Sequence, residues 1–187
     1  MNKRDSINEI LLALNELPLD ITDNVEDIQI ATIVDKQLDI TKRKILSKGW
    51  YFNTTTRDLY PNVQGNIVIP LTFLSTDGGD NEPNLMVRDW KLFDKSEMSF
   101  IFDKSKECKV VEDIVFDDIP FIVADYITQV ASLQAYINII GNTEDISIRN
   151  RMIDIARIDA YREDANNRDG NILESDFATG LLDRENI

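Results

Sequence analysis

The 187-residue chain contains no histidine. That absence removes the Ser-His-Asp triad, the Cys-His pair and every histidine-bound metal site at once. There is one cysteine, Cys108, so no disulfide can form within the chain; a lone thiol fits a reducing compartment and excludes a Cys/His zinc cluster. Phosphate-binding glycine patterns are also missing. Neither G-x-x-x-x-G-K-(S/T) nor G-x-G-x-x-G occurs, and Gly65 and Asp77-Gly78-Gly79-Asp80 read as turns, since a phosphate cradle needs a strand before its glycines and a helix after them. Basic residues are scarce, 20 against 34 acidic ones for a net charge of −14, which repels nucleic acid and anionic lipid alike. No long apolar run is unbroken. The nearest, Phe121 to Ile140, carries Asp125, Thr128, Gln129, Ser132, Gln134 and Asn138, so it reads as a buried bundle helix and no membrane association is expected. Nor does the N-terminus resemble a signal peptide, because Met1 to Arg4 leads straight into a polar helix; the chain is expected to remain inside the cell that makes it.

What is present is a helical pattern interrupted by a β pattern. Ser6 and Glu9 have capping-box spacing and start a first helix that runs to about Glu16, with Ile7, Ile10, Leu11 and Leu14 as its apolar stripe and Leu17-Pro18 as its stop. After a polar loop, Asp23 or Asn24 caps a long second helix. Its stripe is Ile28, Ala31, Val34, Leu38, Thr41 and Ile45, with Lys42, Arg43, Lys44 and Lys48 at its negative end and Gly49 to close it. Trp50 and Phe52 then alternate with Tyr51 and Asn53 as a half-buried strand would. From there to Phe116 the period shifts toward two. Ile67–Ile69, Leu85–Val87, Lys91–Phe93, Met98–Phe102 and Lys109–Phe116 read as short strands in a meander of hairpins, with 76–83 as a loop.

Asp117-Asp118-Ile119-Pro120 opens a third helix whose wide apolar face is Val123, Tyr126, Ile127, Val130, Leu133, Ile137 and Ile140, ended by Gly141. A fourth helix runs from Glu144 to about Arg168 with two apolar rows: Ile148, Met152 and Ile155, and, about a third of a turn away, Ile146, Ile153 and Ala160. Two rows require two packing surfaces, either a broader intramolecular core or a neighbouring subunit. Residues 171–187 have no clear period. The expected fold is α+β, a bundle of four helices with an antiparallel β region inserted between helices 2 and 3, divided as 1–49, 50–117, 118–170 and a C-terminal tail, 171–187.

Catalytic equipment is hard to assemble from these residues. Asp77, Asp80 and Glu82 lack EF-hand spacing and flanking helices, so a solvated loop is the better reading. Carboxylates such as Asp89, Glu97, Asp103, Glu112, Asp113, Asp117 and Asp118 are so abundant that no pair stands out for glycoside cleavage. The basic run Lys42-Arg43-Lys44 suits a helix terminus or an acidic partner surface better than DNA. No enzyme activity, cofactor or metal is expected.

Two stretches carry a family likeness. A helix ending in Ile45-Leu46-Ser47-Lys48-Gly49-Trp50-Tyr51-Phe52-Asn53, followed by Leu59-Tyr60-Pro61-Asn62-Val63 and Asn66-Ile67-Val68-Ile69-Pro70, resembles the tail tubular protein A family of short-tailed double-stranded-DNA bacteriophages; Asn171 to Leu182, N-I-L-E-S-D-F-A-T-G-L-L, is similar to that family's C-terminal tail. The resemblance implies an adaptor at the head–tail junction of the virion: a ring, usually of twelve copies, between the portal protein and the tail nozzle, through which genomic DNA passes without sequence-specific binding. It further implies subunit and partner contacts, assigned here to Ile146, Ile153 and Ala160 and to the tail residues Leu173, Phe177, Leu181 and Leu182. Two alternatives stay open: a polysaccharide-cleaving tail enzyme that uses a carboxylate pair, and an interaction domain of a cellular assembly.

Overall fold

A computed structural model of the chain describes residues 1–78, 82, 84–141 and 146–169. Two compact units emerge: the first joins Met1–Thr41 to the chain from Ile119 onward, and the second is Lys42–Asp118.

Four helices, α1 (Lys3–Ala13), α2 (Gln29–Leu46), α3 (Phe121–Ile139) and α4 (Ile146–Asp169), account for the helical part. The stripe of α1 is as expected, with Ile7, Ile10, Leu11 and Leu14 all buried. Its cap is not. Asn2, four residues before Ser6, accepts the amide of Asp5 at 2.8 Å, and Ser6 is enclosed one turn inside the helix. The helix also stops early, because Asn15 takes a left-handed conformation (φ 61°) and the Glu16 amide bonds back to the carbonyl of Leu11, a Schellman closure that precedes Pro18. Residues Val25–Asp27, expected in the first turn of α2, form a separate 3₁₀ turn. Along α2, Ala31, Val34, Leu38 and Thr41 are buried in the first unit, and its final turn belongs to the second. Lys3 clasps Asp35 and Asp39 at 2.7 and 3.0 Å, tying α1 to α2, while Gln37 and Thr41 meet Gln134 of α3.

The buried face of α3 departs from the large-residue stripe. Val123, Tyr126 and Ile127 are buried, but so are Ala124, Thr128, Ala131, Ser132 and Ala135, whereas Ile137 and Ile140 are exposed. Small side chains let neighbouring helices come close on several sides, so the burial follows side-chain size more than apolarity.

The second unit is built on β1 (Thr54–Leu59), β2 (Phe73–Asp77), β3 (Leu85–Arg88), β4 (Lys91–Asp94) and β5 (Lys106–Glu112). It is not a simple meander. The last strand, β5, lies in the middle of a three-stranded sheet, antiparallel to β1 (Thr54 opposite Val111) and to β2 (Asp77 opposite Lys109). β3 and β4 form a separate hairpin whose tip, Asp89-Trp90, has positive φ at both residues, the geometry of a type I′ turn. Ile67–Ile69, expected as a strand, makes one bridge to β4, and Met98–Phe102 forms none of the strands. There the Asp94 carboxylate accepts the amides of Ser96 and Glu97 and the Ser96 hydroxyl, which turns the chain and holds that acid below its ordinary range. The unit's core is Ile67, Ile69, Leu85, Leu92, Phe102, Cys108 and Val110. Burial, with help from Asp77 and Glu82, pushes the Cys108 thiol up to about 11, so it stays protonated and unreactive.

Candidate functional site

On α4 the two apolar rows have different fates. The side facing α3 centres on Ala156 and Ala160, 6% and 0% exposed, with Ile146 and Ile153 half-buried beside them. Arg149 completes that side: its guanidinium lies 4.0 Å from the Tyr136 ring centroid and donates to the carbonyl of Ala13 at 3.2 Å, which joins α4 to α3 and α1. Ala160, expected at a subunit contact, is thus enclosed by its own chain. The other row faces out. Ile148 is 63% exposed, Met152 51% and Ile155 56%, with Ile158 farther round the helix at 53%. Leu173, Phe177, Leu181 and Leu182 lie outside the described residues.

A shallow groove of about 220 Å³ runs beside the outward row, bordered by Asp125 and Gln129 of α3 and by Met152, Ile155 and Asp159 of α4. Gln129 donates to Glu9 at 2.9 Å and to Asp125 at 3.4 Å, bridging two like charges. Partial burial and the nearby Asp125 raise Glu9 above the ordinary glutamate range, although the Gln129 bond opposes them. The outer surface of α4 is crossed by local ion pairs, Asp154–Arg157, Asp159–Arg162 and Asp164–Arg168, each worth a few tenths of a kcal/mol, roughly, at exposed sites.

A second exposed apolar area lies where α2 begins and α3 ends. Ile28, Ile30, Ile33 and Ile139 line a hollow of about 420 Å³, with Glu26 and Asp27 exposed on the turn that leads into it.

Of the candidate catalytic acids, Glu97 and Asp103 border a hollow of about 250 Å³ with Asp94, Lys104 and Lys106, and others are committed to ion pairs. Glu112 pairs with Arg57, Asp113 with Lys42 and Arg43 at 2.8 and 3.0 Å, and Glu82 with Lys106 at 2.7 Å. Two members of the basic run are thereby used inside the second unit. Among the described residues no group of three or more acids or thiols is arranged to hold a metal, and no helix is long and apolar enough to cross a membrane.

The two sequence motifs of the second unit prove to be architectural. Trp50 is buried and its indole N–H donates to the carbonyl of Ile45 at 2.9 Å. Residues 50–53 are a turn, not the strand their alternating aromatics imitate. Asn53, 2% exposed, accepts the Trp50 amide at 2.8 Å and donates to the carbonyls of Leu46 and Glu112 at 3.2 and 2.9 Å, binding the end of α2 to β5. Gly49 (φ 76°) precedes it, where an added Cβ would press on Thr54 Oγ1 at 3.0 Å. Likewise Asn62 accepts the amides of Gln64 and Asn66 at 2.9 and 3.0 Å and folds the next turn.

The sequence profile of the family described as tail tubular protein matches residues 4–170, all of the second unit and most of the first. The chain belongs to the tail tubular protein family. Tail tubular protein A of Klebsiella phage KP34 is 30% identical over 145 residues, a span covering 75% of this chain and 75% of that one. This tail tubular protein is therefore a structural component of a bacteriophage tail. The stretches that carry the family likeness in the second unit sit at turns held by Asn53 and Asn62.

Proposed function

We propose that this chain is the adaptor subunit of the head–tail junction: a ring, of twelve copies, that joins the portal protein to the tail nozzle and continues the DNA channel. The observation that carries the reading is the family match over residues 4–170, which takes in both units and leaves little of the described chain for another activity. The apolar row on α4 and the isoleucine hollow on α2 and α3 support it, since both are exposed apolar areas that the described residues leave uncovered. On α4 the enclosed Ala160 directs the subunit contact toward the outward row, with Ile146 and Ile153 at its margin, and Leu173, Phe177, Leu181 and Leu182 complete the contact as a latch to a neighbour or the portal.

Charge fits a conduit. Twelve copies at −14 each carry roughly −170, and a lumen lined by part of that withholds the phosphate contacts that would make DNA stick. Electron microscopy of the full chain mixed with its portal protein tests the proposal. Rings of uniform size seated on the portal, with a net acidic lumen, are expected; a chain that stays monomeric with the portal present, or a ring whose lumen is dominated by Lys and Arg, overturns it.

A further inference from the structure

We propose that neighbouring subunits pair head to tail through the helical unit, the outward row Ile148, Met152 and Ile155 of α4 seating in the hollow formed by Ile28, Ile30, Ile33 and Ile139 of the next copy. The proposal rests on the ring reading above and names the two faces that close it. A ring generated by rotation alone needs two different, mutually complementary patches on every subunit, whereas a two-fold pair needs one patch that complements itself. The helical unit offers two exposed apolar areas that share no residue, one convex on a helix and one concave.

Electrostatics gives the pairing its direction. Copies of a chain at −14 repel one another over most of their surface. The segment that bears the row, residues 146–158, is locally basic, with three arginines (Arg149, Arg151 and Arg157) against one acid, Asp154. Arg149 is spent on Tyr136 and Ala13, and Arg157 on Asp154. Arg151 is left exposed three residues after Ile148 and four before Ile155, on the side of the row. The rim of the hollow supplies the opposite sign in Glu26 and Asp27, both exposed. Two copies of α4 placed row to row would instead bring Arg151 toward its own counterpart. At about 420 Å³ the hollow has the size of pockets that take several apolar groups.

Single-cysteine pairs test the contact without disturbing the fold, since Cys108 is fully buried and adds no background. Full-length Ile155→Cys and Ile33→Cys chains are mixed with the portal protein and oxidised. A covalent dimer is expected from the mixture and not from either chain alone. Efficient self-linking of Ile155→Cys with itself would overturn the proposal in favour of a two-fold pair. Ile155→Asp and Ile33→Asp should each weaken ring formation by roughly thirty-fold or more while leaving the melting temperature of the free chain within a few degrees. Arg151→Glu should weaken it too, and Glu26→Arg with Asp27→Arg in the same chain should restore much of the loss. If both aspartate variants fold and assemble like the unaltered chain, this contact is wrong while the ring stands; if the unaltered chain forms no ring on the portal, both readings fall.

Discussion

Replacing Asn53 by alanine should loosen the second unit more than its one short side chain suggests. The substitution removes the Asn53 Oδ1 acceptor that the buried Trp50 amide meets at 2.8 Å, and takes a donor from the carbonyls of Leu46 and Glu112. Leu46 keeps the Gly49 amide at 3.0 Å, so its loss is partial. A buried donor that loses its acceptor costs about 1–3 kcal/mol and each weakened carbonyl about 0.5–1.5, which together put the variant near 3 kcal/mol. Cys108 is the reporter, because it sits at 0% exposure in the core of the same unit and reacts with a thiol reagent only when that unit opens. A loss near 3 kcal/mol should speed its labelling in the native protein by roughly a hundredfold, at a tenfold for each 1.4 kcal/mol. Asn53→Asp makes a sharper control. A carboxylate can still accept from Trp50 but cannot donate to either carbonyl, so it should be at least as damaging. Labelling that changes less than about twofold in both variants would refute the argument that Asn53 fastens α2 to β5.

Ala160→Leu should lower stability by about 1–3 kcal/mol through overpacking against α3, read as a lower melting temperature, whereas Ile155→Ser on the outward row should leave it nearly unchanged. Glu9 titrates higher in the folded chain than in the unfolded one, so its contribution favours folding at low pH and is lost as pH rises through the raised value. Glu9→Gln should therefore stabilise the chain at pH 7, with the advantage fading as pH falls toward 4.5, measured by urea denaturation across that range. Deleting the residues after Asn171 should leave thermal unfolding of the free chain almost unchanged and abolish stable joining to the portal; a truncated chain that melts far lower yet still assembles would place those residues in the core.

Where one physical demand acted alone, the fold could be read from residues. The stripe of α1 and the Ala31, Val34, Leu38 and Thr41 part of the α2 stripe are buried within the first unit, so the 3.6-residue spacing named those residues, and the αL demand at the end of α2 named Gly49. Competing demands hid the rest. Trp50 to Asn53 alternates like a strand, but an amide side chain bonding three backbone groups overrides that period. The central place of β5 depends on pairings with segments some thirty to sixty residues away, which no local pattern encodes. On α4 both rows are aliphatic, so apolarity alone cannot say which faces inward. The signal was size: Ala156 and Ala160 mark the side where another helix approaches closely, as Ala124, Ala131 and Ala135 do on α3.

The split of the helical unit across the chain governs how it is made. α1 and α2 leave the ribosome first, yet α3, whose faces they need, follows only after the whole second unit has been synthesised. Left unfolded, that insertion would be a loop of nearly eighty residues to close. Once folded, it ties its own first residue to its last stretch, because Lys42 binds both Asp113 and the carbonyl of Ile114. Shrinking the effective loop from nearly eighty residues to about five lowers the closure entropy by about 2.4 kcal/mol. The β unit thus acts as a folding clasp, and damage to it, at Asn53 or at Lys42, should slow the assembly of the helical unit.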